Sequence, residues 1–259
     1  TFNYNDFDSL KKILSKNNDI GAVKMEVQRD LKPDLAFLRN VRDITKKKNI
    51  ILIFDECTSG FRETFGGLHL KYKIDPDIAI FGKALGNGYA INAILGRKDI
   101  MNSVKNTFIS STFWTERSGS AAALATLNVM EKTQSWKKIS KIGKEIKSLW
   151  KKISNDNSVE INISGLDALP KFYFNSPHHS KYKTYLSQEM LKKGILASNF
   201  VYTCIFHNDN IVQKYSEIFS DVFHVIGKCE KGDYNILDFL KTETCMSNIR
   251  DQQIFVDKI

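Results

Sequence analysis

Proline is almost missing from this chain of 259 residues, which holds four, and glycine is sparse at fourteen. With so few of either, no compositionally simple segment and no repeat with a period of roughly 20 to 50 residues, the chain is neither disordered nor a solenoid. Cysteine is also scarce. Cys57, Cys204, Cys229 and Cys245 show neither paired spacing nor a CxxC, which argues against a disulfide framework or a zinc site and fits a reducing compartment. No apolar run is long enough to span a bilayer, and the Asn- and Lys-bearing opening "TFNYNDFDSLKKIL" does not read as a signal peptide. The expectation is a cytoplasmic protein with no membrane partner and no metal.

What is present is apolar content of 42%, enough for one large domain or a large and a small one. Acidic residues are outnumbered, leaving a net charge of +9, a balance that can mark a nucleic-acid binder. The distribution argues otherwise. In "SWKKISKIGKEIKSLWKK" the lysines fall between Ile139, Ile142, Ile146, Leu149 and Ile153, as on the solvated face of an amphipathic helix. No nucleic-acid partner is expected.

The pattern along the chain alternates helix and strand. "YNDFDSLKKILSKN" predicts a helix capped by Asp6, and "DLAFLRNVRDITKKK" a second with Asp34 at its start. "IGAVKMEV", "DIAIFG", "AINAILG" and "TFISSTF" read as strands, and "NIILIFDE" as a strand buried on both faces of a parallel sheet. A helix follows over "SGSAAALATLNVMEK". This order implies an α/β fold with a largely parallel or mixed sheet, in which ligands bind at strand carboxyl ends.

Two carboxyl ends carry notable polar groups: "IILIF" ends in Asp55-Glu56, and "DIAIF" in Gly82-Lys83. A carboxylate at the mouth of an apolar strand calls for a cation, and a protonated ring nitrogen would serve. Lys83 could form a Schiff base if an apolar pocket held it neutral. An acid and a lysine so placed are what pyridoxal phosphate needs, as ring partner and covalent anchor. Blander readings stand beside this: an Asp-Glu pair often opens a helix, and a lysine after a strand is ordinarily solvated. "GKALGNG" is not a phosphate loop, because its Gly-Lys comes first and Ala84 follows.

At these residues the sequence resembles the class III pyridoxal-phosphate aminotransferases, nearest the glutamate-1-semialdehyde 2,1-aminomutase branch. The matching runs are "AVKMEV", "FLRNVRDITKKKNIILIFDECTSGFR", "DPDIAIFGKALGNGYAINAILGRKDIM" and "STF" before an Ala-rich helix. The resemblance implies an aspartate-aminotransferase-like fold (PLP fold type I). Residues 1–134 would form the C-terminal part of the large cofactor-binding domain, 135–230 a small α+β domain, and 231–259 a tail. It also implies roles by position. Lys83 matches the Schiff-base lysine, which also moves the substrate proton, and Asp55 the carboxylate on the pyridinium nitrogen. Cys57 takes the place of a Val or Ile against the ring face, and Thr58 falls beside the cofactor hydroxyl. Thr112 matches the hydroxyl that reaches the cofactor phosphate of a neighbouring subunit, implying a homodimer with shared sites; a strand-end β-branched residue is the alternative there. The implied activity moves an amino group between an amine or amino acid and a carbonyl compound.

There are departures from the family pattern. Phe113, Trp114, Thr115, Glu116 and Arg117 replace a small "SGNP"-like segment and would crowd and charge the site entrance, and "MEVQRD" lacks a Glu-Pro. Tyr89, Trp114, Glu116, Arg117 and Arg62 are candidates for the entrance, each with a surface or packing explanation, while His69 reads as a loop residue and the Gly-Asn-Gly turn as backbone room beside a cofactor. The family's preceding segment, with its phosphate loop and stacking aromatic, is not identifiable, so the chain reads as truncated at its N-terminus. The alternative function is a truncated, catalytically silent protein of the same fold with an interaction or subunit role.

Overall fold

In the computed structural model, which describes residues 1–242 and Thr244, the strand-like runs of the first half line up in one sheet. The strands are β1 (Ala22–Glu26), β2 (Ile51–Asp55), β3 (Ile78–Phe81) and β4 (Ala93–Gly96), in that spatial order. β1, β2 and β3 run parallel and β4 returns antiparallel to β3. The parallel register pairs Glu26 with Asp55 and Asp55 with Ile80, so the carboxyl ends of three strands share one edge.

Helices join these strands. α1 (Phe7–Lys16) begins where the Asp6 side chain accepts from the Ser9 N–H, and α2 (Leu35–Lys47) where Asp34 accepts from Ala36. Each cap satisfies an orphan helix N–H, worth about 1 kcal/mol. α2 lies against β2, and α1 against α2. Short α3 (His69–Tyr72) and α4 (Lys98–Met101) flank β3 and β4, and α5 (Ser118–Thr133) sets Ala123 and Leu127 against Phe81 and Leu85.

In the sheet, strands β1, β2 and β3 alternate strictly in burial. Val23, Met25, Leu52, Phe54, Ala79 and Phe81 form its buried face; sealing each of the larger side chains from water contributes about 2 kcal/mol. The opposite face carries Lys24, Glu26, Ile51, Ile53, Asp55, Ile78 and Ile80, none of them fully buried. Burial of β2 on both faces is therefore corrected to full burial on one, the other face carrying the partly exposed Ile51, Ile53 and Asp55. "TFISSTF" is corrected too: Thr107–Phe113 forms no strand, and Phe108 is 94% exposed. Its β-branched and aromatic residues suit a strand, but no described strand pairs with them.

Contacts divide the chain into two compact units, Thr1–Lys137 and a second that starts at Lys138. The second holds most of α6 (Ser135–Asp156), the hairpin β5 (Ile161–Leu166) and β6 (Leu169–Phe174), α7 (His179–Lys192) and α8 (Asp209–Glu230). Its core stacks Trp150, Phe172, Phe219 and Phe223, with the Trp150 indole N–H donating to the Tyr215 hydroxyl at 2.8 Å. α6 buries Ile142, Ile146, Trp150 and Ile153 and turns Lys138, Lys141, Lys144 and Lys151 outward. After Glu230 a 3-10 turn, Ile236–Phe239, buries Ile236 and sets Phe239 on Tyr185. Residues 243 and 245–259 of the expected tail, Cys245 among them, lie outside the described residues.

Candidate active site

The shared carboxyl edge of β1, β2 and β3 gathers Glu26, Asp55, Cys57, Thr58 and Lys83. Asp55 is the last residue of β2, with a side chain 24% exposed. Its Oδ2 accepts from Lys24 Nζ at 2.9 Å and its Oδ1 from the Cys57 N–H at 3.2 Å. Partial burial pushes the Asp55 carboxyl up, but the hydrogen bonds from Lys24 and Cys57 outweigh it and hold its pKa below the ordinary carboxylate value. Burial pushes the neighbouring Cys57 thiol up, and its bond to Asp55 adds to this, so Cys57 stays a neutral, weakly polar group.

Lys83 follows β3 by way of Gly82. A Cβ at Gly82 would displace the Asn92 side chain and touch Cys57 Sγ, so the backbone passes close to both. Lys83 itself sits at φ +43°, in the left-handed region that a residue with a Cβ enters at a cost of about 1 kcal/mol. Its Nζ donates to Thr58 Oγ1 at 2.7 Å. Lys83 is exposed, whereas Gly82 before it and Leu85 after it are buried. The glycines of the turn have local causes, since a Cβ at Gly86 would strike the Tyr89 carbonyl and Gly88 adopts φ +107°.

The loop that carries Cys57 and Thr58 hangs on Glu56. This carboxylate is fully buried and accepts from Ser59 Oγ, the Leu68 and His69 N–H groups and His69 Nδ1, all between 2.6 and 2.9 Å. A buried charge is tolerable only with such a full set of donors. His69, expected in a loop, thus opens α3 and helps to close this lock. Arg62, an entrance candidate, instead lies 9% exposed with Nε donating to the Thr58 carbonyl at 2.6 Å. It fixes the backbone beneath the hydroxyl that meets Lys83.

Glu26 and Lys24 were missed as site residues. Glu26 ends β1 directly beside Asp55; its Oε1 meets Arg29 at 3.3 Å while its Oε2 is buried without a hydrogen-bond partner. Burial first, and the Asp55 charge after it, raise the Glu26 pKa, with Arg29 and Lys83 opposing. A carboxylate at a parallel strand end was the available signal. The remaining candidates lie elsewhere: Thr112 starts an exposed turn with Phe113 and Trp114, Tyr89 is 61% exposed, and Glu116 accepts from the N–H groups of Ser118 and Gly119 at the start of α5. No hydrogen bond joins Thr112 to the Lys83 cluster among the described residues.

A family model described as class III aminotransferase matches residues 8–220. The chain belongs to the class III aminotransferases. Among relatives in this family, the 3-aminobutyryl-CoA aminotransferase of Cloacimonas acidaminovorans (strain Evry) is 31% identical over 224 residues, 80% of this chain and 53% of that protein. The glutamate-1-semialdehyde 2,1-aminomutase of Nitrosopumilus maritimus (strain SCM1) is 28% identical over 247 residues, 88% of this chain and 58% of that one. Among solved structures, the FumI protein of Sphingopyxis sp. MTA144, in its PLP internal aldimine form, superposes with a TM-score of 0.82 at 21% identity, covering 92% of this chain and 60% of that one. The acetylornithine aminotransferase from Elizabethkingia anophelis gives 0.74 at 24% identity, covering 85% and 58%. This class III chain therefore has the PLP fold-type-I architecture, α/β with a mainly parallel sheet, and spans 53% to 60% of the length of these relatives.

The donor set suits the ring and aldehyde ends of pyridoxal phosphate: an ionised carboxylate with acceptor capacity left, a primary amine on a strained turn, and a small thiol between them. The described residues hold no cluster of His, Cys, Asp and Glu fit for a metal ion. They also hold no helix long and apolar enough to cross a membrane.

Proposed function

We propose that this protein is a pyridoxal-phosphate-dependent aminotransferase or aminomutase, moving an amino group between an amine or amino acid and a carbonyl compound. The observation that carries the reading is the pairing of Asp55 and Lys83 at adjacent carboxyl ends of parallel strands, with Lys83 Nζ held on Thr58 Oγ1. The cofactor, when bound, supplies an aldehyde that condenses with amines and a ring that draws electrons from the reacting carbon.

The chain's own groups do the rest. Asp55 keeps a proton on the ring nitrogen because it remains a carboxylate. Lys83 supplies the anchoring amine and, once free, takes and returns the proton of the substrate carbon. Thr58 orients Nζ for both tasks, and Cys57 would hold the ring from one side. Thr112 reaches the phosphate of a neighbouring subunit in a homodimer, a role that suits its exposed turn and the apolar Phe108, Phe113 and Trp114 around it. In this reading the protein works in the cytoplasm, in keeping with the free thiols of Cys57, Cys204 and Cys229.

The test is to load the full-length protein with pyridoxal phosphate, add an amine donor and follow the aldehyde-to-amine change of the cofactor spectrum. The expected result is conversion matched by released carbonyl product and abolished in Lys83→Ala. A protein that retains the cofactor at Lys83 but converts no amine donor is the silent subunit instead.

A further inference from the structure

We propose that Lys24, from the exposed face of the sheet, is a positioning residue that grips Asp55 on its amino-terminal side and leaves the side toward the strand ends for the ring nitrogen of the cofactor. The proposal rests on the function given above and adds a residue to its machinery. Lys24 pairs in register with Ile53, two residues before Asp55, and shares the face of the sheet that carries Glu26 and Asp55. Its Nζ therefore approaches along the strand from the amino-terminal side, reaching Oδ2 at 2.9 Å. Cys57, Thr58 and Lys83 lie beyond the carboxyl end. An ionised carboxylate offers about four acceptor positions; Lys24, the Cys57 N–H and the Cys57 thiol occupy some of them and leave room for a further donor.

The charged groups around Asp55 explain why such a grip is needed. From β1 come Lys24 and Glu26, from the following turn the Cys57 thiol, and from the segment after β3 the Lys83 amine. Glu26 is an anion abutting Asp55, and it meets Arg29 at 3.3 Å through Oε1. Without Lys24, burial and this like charge would both drive Asp55 toward its neutral form, which cannot hold a pyridinium proton. The bond to Asp55 in turn raises the Lys24 pKa, so the grip persists across the working range. Lys24 sets a cation 2.9 Å from the Asp55 carboxylate before the cofactor arrives.

Two measurements on the full-length protein test this. In the first, carbon-13 resonances of the Asp side chains are titrated without added cofactor in the natural protein, Lys24→Met and Lys24→Arg. The Asp55 midpoint is expected to rise by about half to one pH unit in K24M and to return in K24R. In the second, pyridoxal phosphate is titrated by absorbance from pH 8 downward, and the acid limit of binding is expected to move up in K24M by a similar interval. An Asp55 midpoint unmoved in K24M, or equally moved in K24R, overturns the proposal. So does a moved midpoint with an unmoved acid limit. If instead the natural protein fails to take up pyridoxal phosphate at all, the assigned function falls and the sharing of Asp55 falls with it, whatever the first titration shows.

Discussion

Asp55 and Asp77 sit at opposite ends of neighbouring strands, and the fold treats them differently. Asp77, just before β3, has a side chain 5% exposed, and its two oxygens take the Leu52 N–H at 2.8 Å, Arg42 at 3.0 Å and Arg97 at 2.8 Å. Asp55, closing β2, is 24% exposed and takes a single cation, Lys24, beside the N–H and the weakly donating thiol of Cys57. Asp77 ties β2, α2 and the start of α4 together, whereas Asp55 touches only its own turn and β1. A carboxylate saturated by the fold is a brace. One left with open acceptor positions at a strand carboxyl end is available for a ligand.

The comparison breaks first on stability. Asp77→Ala leaves Arg42 half buried with no carboxylate and is expected to cost about 3 kcal/mol, read as a lowered midpoint in chemical denaturation. Asp55→Ala, at a partly exposed site, is expected to cost less than about 1 kcal/mol. Equal losses would erase the distinction.

Acid sharpens it next. For Asp77 burial acts upward, but the Leu52, Arg42 and Arg97 bonds prevail and the folded pKa lies below the unfolded one. Its stabilisation is therefore present in full above about pH 4 and is lost as pH falls through the folded value. Asp55 is shifted in the same direction with fewer partners. Denaturation midpoints between pH 6 and pH 2 should thus lose more of their acid dependence in Asp77→Asn than in Asp55→Asn.

Thr58→Val gives the smallest change, because it removes one hydroxyl from Lys83 while Arg62 still holds the Thr58 carbonyl. A stability change within about 1 kcal/mol is expected, with labelling of Lys83 by pyridoxal phosphate and borohydride slowed several-fold. Thr58→Ser should restore the rate.

How far the sequence foretold this follows from the range of each interaction. Helix caps at Asp6 and Asp34 and the strands around "ILIFD" and "IAIF" arise from local pattern, and the placing of Asp55 and Lys83 follows from the rule about strand carboxyl ends. The locks do not. Glu56 with His69, Asp77 with Arg42 and Arg97, and Arg62 with Thr58 join residues brought together by chain path, so nothing adjacent in sequence announces them. "TFISSTF" failed for the converse reason, since strand propensity forms no strand without a partner. Lys24 went unremarked because one lysine in an apolar strand reads as a solvated edge until the register places it beside Asp55.

The most direct measurement is to incubate the full-length protein with limiting pyridoxal phosphate, reduce with borohydride and map the modified lysine, beside Asp55→Ala and Asp77→Asn. Label is expected on Lys83 in the natural protein and in folded Asp77→Asn, and at least about tenfold less in Asp55→Ala. Label scattered over surface lysines with Lys83 unmodified, or an undiminished yield in Asp55→Ala, would contradict this expectation.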